Sequence, residues 1–126
     1  MIWHENNGAI PAGFASHPLP SSVRGGRWID SGDVDGDGDS DLIVASTDNH
    51  IYYWFENNGA PDPGFTERIV AQGMLGPRSV LSGDLDLDGD LDIFGASDGD
   101  GKDGQARVAW FENNGAHPPA FTTHVV

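Results

Sequence analysis

The chain contains no cysteine, and only six of its 126 residues are lysine or arginine, against 20 aspartates and glutamates. Without cysteine there is no disulfide framework, no thiolate nucleophile and no cysteine-ligated zinc. The formal charge of −14 repels phosphate backbones and anionic membrane surfaces, which excludes nucleic-acid binding through a basic patch and makes cations the natural partner. No apolar run approaches the roughly 20 residues that cross a bilayer, so no membrane span is expected. The opening Met1-Ile2-Trp3-His4-Glu5 has neither the basic flank nor the apolar stretch of a signal peptide. Helix signals are scarce too: no ten-residue segment of period 3.6 is free of glycine and proline, of which the chain has 18 and 8. Enzyme signatures are missing as well. The five histidines (His4, His17, His50, His117, His124) form no HxxxH pair, and there is no GxSxG elbow, P-loop or dinucleotide fingerprint. Surface roles are expected for the histidines and no catalysis for the chain. With 37% hydrophobic and 10% aromatic residues, it nonetheless lies outside the disordered range.

What is abundant is acid, and it is clustered. Ten of the 20 acidic residues fall in two nine-residue windows, Asp33–Asp41 and Asp84–Asp92. Sliding the sequence by 51 places Arg27 on Arg78, Ser31-Gly32-Asp33 on Ser82-Gly83-Asp84, and Ala45-Ser46 on Ala96-Ser97. A second block, Trp54-Phe55-Glu56-Asn57-Asn58-Gly59-Ala60, recurs unchanged as Trp110–Ala116 and with one substitution as Trp3–Ala9. Its later spacing is 56 because Gly99–Gln105 reads as a lengthened turn. The chain therefore divides into a partial repeat (1–19) and two full repeats (20–70 and 71–126), a period typical of units that bury their faces against neighbours.

Each repeat reads as strands and turns. Arg78–Ser82 alternates weakly, Leu91–Ala96 is a short apolar run, Ala106–Phe111 is a third segment, and Phe121–Val126 is rich in β-branched residues. The Asn113-Asn114-Gly115 step before the last strand supplies residues that tolerate positive φ, the chemistry of a hairpin turn. An all-β fold is predicted: propeller blades of four antiparallel strands, about two and a half per chain, with residues 1–19 forming the outer two strands of a partial blade.

Both acidic windows read DxDxDGxxD. Carboxylates at positions 1, 3 and 5 converge when such a loop curls, Gly38 or Gly89 at position 6 permits the tight turn, position 7 offers a carbonyl, and position 9 adds another carboxylate. Hard oxygen donors in a flexible shell suit Ca²⁺ better than Mg²⁺, Zn²⁺ or copper. Two carboxylates about 5 Å apart repel by roughly 3 kcal/mol at an effective dielectric near 20, so the loop needs a cation to be ordered. A solvated acidic turn would need neither this spacing nor its recurrence. An EF-hand would carry glutamate at position 12, where Val44 and Gly95 stand, and a dockerin-type loop would lead into a helix rather than into the strand-like runs 42–45 and 93–96. Abundant aspartate can mimic a glycosidase pair, but these acids are already assigned to metal.

The DxDxDGxxD loops followed by a short apolar strand, the Trp-Phe-Glu-Asn-Asn-Gly block and the closing Phe-Thr-x-x-x-Val strand resemble the FG-GAP/VCBS repeats of calcium-binding β-propellers, found in integrin α-subunits, secreted bacterial proteins and fungal propeller lectins. The resemblance covers essentially the whole chain. It implies two Ca²⁺ per chain, each in the turn between the innermost and second strands of a blade. Carried onto this sequence, the side-chain ligands are Asp33, Asp35, Asp37 and Asp41 with the Asp39 carbonyl, and Asp84, Asp86, Asp88 and Asp92 with the Asp90 carbonyl. It also implies a secreted or cell-surface location and a non-catalytic structural or interaction role.

Trp3, Trp54 and Trp110 share one repeat position and Phe14, Phe65 and Phe121 another, the pattern of packing between repeats. Residues that break the repeat are candidates for stacking on a sugar: Trp28, His50 and Tyr52, the alternative being a propeller lectin with glycan sites between blades. A protein ligand is equally compatible with the resemblance. Closing two and a half blades head to tail leaves strands unmatched. The chain is therefore expected to be a piece of a longer propeller or to complete itself with other copies.

Overall fold

The computed structural model describes residues 1–61, 63–99 and 106–126. The described residues contain ten strands: β1 (Ile2–Asn6), β2 (Phe14–Pro18), β3 (Gly26–Gly32), β4 (Asp41–Ser46), β5 (Ile51–Asn57), β6 (Phe65–Gln72), β7 (Pro77–Gly83), β8 (Asp92–Ser97), β9 (Arg107–Asn113) and β10 (Phe121–Val125). All pairings are antiparallel. β1 and β2 make a hairpin, and β3-β4-β5-β6 and β7-β8-β9-β10 are two four-stranded meanders. The all-β expectation holds. Most strand boundaries shift by a residue from those expected; Leu91 lies before β8 and outside the ladder, and the third strand starts at Arg107 and continues past Phe111 to Asn113. The lengthened turn expected over 99–105 lies, apart from Gly99, outside the described residues.

The strand sequences explain why the meanders stack. β4 (DLIVAS) and β5 (IYYWFEN) are apolar on both faces, so they must be covered on both. Ile43, Ala45, Tyr52 and Trp54 meet Val80, Ile93, Ala109 and Phe111 in the larger core between the two meanders. Val44, Tyr53 and Phe55 turn the other way, into a smaller core with Leu19 and the flanking Trp3, Val23 and Phe65. The first strands of the meanders, β3 and β7, lie beside each other. Asp30 in β3 clasps Ser82 in β7, its Oδ2 accepting from the backbone N–H at 2.7 Å and from Oγ at 2.9 Å.

The recurring aromatics pack between sheets. Trp3 meets Phe65 edge-on at 6.2 Å, and Trp54 meets Phe121 at 6.5 Å. The glutamate of each repeated block holds a basic group over its tryptophan. Arg68 pairs with Glu56 and lies 5.5 Å over Trp54, His124 bonds Glu112 and stacks on Trp110 at 4.6 Å, and His17 bonds Glu5 and stacks on Trp3 at 4.3 Å. The Asn-Asn-Gly turns are held chiefly by side-chain acceptors. Asn114 Oδ1 takes the N–H of Ala116 at 3.1 Å and of Ala120 at 3.0 Å, and the positive φ (63°) falls on Gly115.

Candidate metal centre

Both acidic loops sit at the same place in their sheets. Residues 33–41 join β3 to β4 and residues 84–92 join β7 to β8, in each case the first strand to the second. Their chains curl so that a carboxylate oxygen from each of Asp33, Asp35 and Asp37 lies within 4.8 Å of the others, and Asp84, Asp86 and Asp88 do the same. The curl follows from one bond across the loop and two Asx turns within it. Asp33 Oδ2 accepts from the Gly38 N–H at 3.0 Å, Asp35 Oδ1 from Asp37 N–H at 3.3 Å, and Asp37 Oδ1 from Asp39 N–H at 2.9 Å. The second loop repeats the set with Gly89 on Asp84 (3.1 Å), Asp88 on Asp86 (3.2 Å) and Asp90 on Asp88 (3.0 Å).

These bonds use one oxygen of each leading aspartate. The other, Oδ1 of Asp33 and Oδ1 of Asp84, is buried with no hydrogen-bond partner. A buried carboxylate oxygen without a donor is costly, and costlier beside two more carboxylates. The donor set, all hard oxygens, fits a divalent cation of the Ca²⁺ type. The charges leave their mark on acidity. Burial pushes the Asp35 carboxyl above the usual carboxylate range, and the negative charge of Asp37 adds to it. Asp86 is raised by desolvation and by the charges of Asp88 and Asp92.

The remaining predicted ligands are placed differently. Asp41 and Asp92 are fully buried and lie outside the three-residue clusters. Each spans two backbone amides. Asp41 accepts from Val34 (3.0 Å) and Asn57 (2.8 Å), and Asp92 from Leu85 (3.1 Å) and Asn113 (2.8 Å). Burial raises the Asp41 carboxyl, and the amides of Asn57 and Val34 oppose the shift. These aspartates close the loop onto the sheet. Asp39 and Asp90 also stay out of the clusters, their side chains lying against Gly59 and Gly115 of the neighbouring turns. Sequence reasoning missed Asn57 and Asn113, which carry these contacts. Their recurrence is the available signal, although an Asn-Asn-Gly step by itself points only to a turn.

The three sugar-stacking candidates do not form one site. Tyr52 is a correction: its ring is fully buried, its hydroxyl donates to the Ala96 carbonyl at 3.0 Å, and burial pushes the phenol up to about 12. It breaks the repeat because the facing sheet breaks it in complement. Gly95 stands where the first repeat has Val44, and a Cβ there would sit 2.5 Å from the Tyr52 ring. His50 is a turn anchor: its φ is 60°, its carbonyl accepts from Gly73 N–H at 3.0 Å, and its Nδ1 accepts from Gly76 N–H at 3.1 Å. Trp28 is 51% exposed and lines a shallow groove of about 310 Å³ with Met1, Val23, Arg27, Ile29 and Val44.

No helix among the described residues is long and apolar enough to cross a membrane. Comparison with curated proteins and with solved structures returned no match. The model of the FG-GAP-like repeat family matches residues 33–95, from the first acidic loop through the second into β8, and the chain belongs to that family.

Proposed function

We propose that the chain is a calcium-stabilised β-propeller segment serving as a non-catalytic structural or interaction module. In this reading each four-stranded meander is one blade and the β1–β2 hairpin is the outer half of another. Further blades, from a longer chain or from other copies, cover the exposed outer faces, and the module works outside the cell or on its surface. The observation that carries it is the pair of buried, unpartnered oxygens, Asp33 Oδ1 and Asp84 Oδ1, each set within a three-carboxylate cluster. Asp33, Asp35 and Asp37 would hold one Ca²⁺, and Asp84, Asp86 and Asp88 a second. Asp41 and Asp92 keep each loop closed on its sheet. The bound ion supplies charge neutralisation, which lets the carboxylates stay converged and ionised at neutral pH.

Thermal melts in excess Ca²⁺ and in chelator test the reading. Sites binding in the range of about 10⁻⁴–10⁻³ M stabilise the native state by mass action, so the melting temperature rises by several degrees with Ca²⁺. Asp33→Ala and Asp84→Ala each remove one of two binding events. Identical melts together with no heat of Ca²⁺ binding would refute it. A lectin function is favoured only by Trp28, half exposed beside Arg27 in the groove. A glycan-array signal lost in Trp28→Ala, with the Ca²⁺ response retained, would establish it.

A further inference from the structure

The two acidic loops belong to different sheets, yet one buried side chain touches the backbone of both. Asn113, at the end of β9, is 2% exposed. Its Nδ2 donates to the Val34 carbonyl at 2.8 Å and to the Leu91 carbonyl at 3.1 Å, and its Oδ1 accepts from Gly115 N–H at 3.1 Å. Val34 lies between Asp33 and Asp35 of the first loop, and Leu91 between Asp90 and Asp92 of the second. Both amide protons are thus spent on bridging the loops. The bridge continues on either side. Val34 N–H is bonded to Asp41, and Asn113 N–H to Asp92, which also holds Leu85. A relay of buried hydrogen bonds runs Asp41, Val34, Asn113, Asp92 and ends on the exposed Leu85. Packing follows the same route: Leu91 lies so close to the Gly32 backbone, one residue before Asp33, that a Cβ on Gly32 would sit 2.5 Å from Leu91 Cδ2. The matching residue of the first repeat, Asn57, gives its Nδ2 to Ser40 of its own loop at 3.1 Å.

We infer that Asn113 couples the two loops, so that a divalent cation ordering one of them raises the affinity of the other. This rests on the calcium reading above. Asn113 acts as a positioning residue. An ordered first loop fixes the Val34 carbonyl, this fixes the Asn113 amide, and the Leu91 carbonyl beside Asp92 is held in turn. Linkage requires the effect to be reciprocal.

Calorimetric titration of the full chain with Ca²⁺ alone measures the coupling. Asp86→Asn/Asp88→Asn empties the second loop at exposed positions, and Asp35→Asn/Asp37→Asn empties the first. The product of the two wild-type binding constants is expected to exceed the product of the two single-loop constants by about fivefold, the scale of one buried hydrogen bond. In an Asn113→Ser background the excess disappears. In Thr47→Val, which removes a different bond between the sheets, from Thr47 Oγ1 to the Pro77 carbonyl at 2.7 Å, it persists. If Asn113→Ser does not fold, the comparison of wild type with the emptied-loop chains decides alone. Equal products would overturn the coupling and leave the calcium reading intact, whereas no binding to the wild-type chain would overturn both.

Discussion

At position 4 of the first acidic loop stands Gly36, with φ 74°; at position 4 of the second stands Leu87, with φ 66° and 85% exposed. The two loops share their ligand spacing, their Asx turns and their closing aspartates, but not their surroundings. Asp35 is half-buried and Val34 is in the core, whereas their counterparts Asp86 and Leu85 are exposed. The first loop lies against the second sheet, through Asn113 and through His117, whose Cε1 is 4.0 Å from where a Gly36 Cβ would sit. The second loop reaches the first sheet through Leu91, which packs on Gly32, while Asn113 holds the Leu91 carbonyl. The shared aspartate and glycine positions therefore make the same curl, and neighbours decide how firmly it is held.

The largest expected effects come from the closing aspartates. Asp41→Ala and Asp92→Ala each leave one buried and one part-buried amide unpaired, at a cost of about 2–4 kcal/mol. The larger loss should fall on Asp92, because Asn113 loses its anchor as well. Chemical denaturation of both variants ranks them, and a larger loss for Asp41→Ala would reverse the comparison. Next comes the fit between sheets. Gly95→Ala pushes a methyl into the Tyr52 ring and should cost about 1–3 kcal/mol. Combined with Tyr52→Leu, the loss should be less than the sum of the two single losses, and strict additivity would show that the pair does not interact.

Leu87→Gly sharpens the contrast between the loops in the other direction. A left-handed backbone costs a side-chain-bearing residue roughly 1–2 kcal/mol, part of which glycine returns as unfolded-state entropy. A gain of about 1 kcal/mol is expected, read from the denaturation midpoint, with no gain from the control Leu85→Gly.

The smallest effect is in pH. Asp35, Asp41 and Asp86 have carboxyls raised in the folded state above the ordinary value of 3.8. In metal-stripped protein the folded state holds protons that the unfolded state has lost. Their contribution is thus fully present below about pH 3.8 and disappears as pH rises through the folded-state values. Metal-stripped protein should gain stability as pH falls through the raised folded-state values toward about 3.8, whereas Ca²⁺-loaded protein should lose it as protons displace the ion. Equal pH slopes in the two states would contradict the assignment.

Much of the architecture could be read directly. The 51-residue offset and the Trp-Phe-Glu-Asn-Asn-Gly block locate the repeats, and apolar runs bounded by glycine and asparagine locate the strands. The carboxylate triads were legible because i, i+2, i+4 spacing around a tight turn is a local property. Tyr52 was misread because a deviation from the repeat looks the same whether it serves a ligand or a neighbour. Its complement, Gly95, is visible only once the two sheets face each other.

By itself the sequence determined the period, the all-β class and the curl of each acidic loop, since turn chemistry and side-chain alternation act over a few residues. Tertiary structure decided that Asp41 and Asp92 hold amides and lie outside the clusters, that Tyr52 is core, and that Asn113, 79 positions from Val34, joins the two loops. Those outcomes depend on which backbone donors a buried carboxylate meets and how much room the facing sheet leaves. Both are properties of the packing between the two meanders rather than of either one alone.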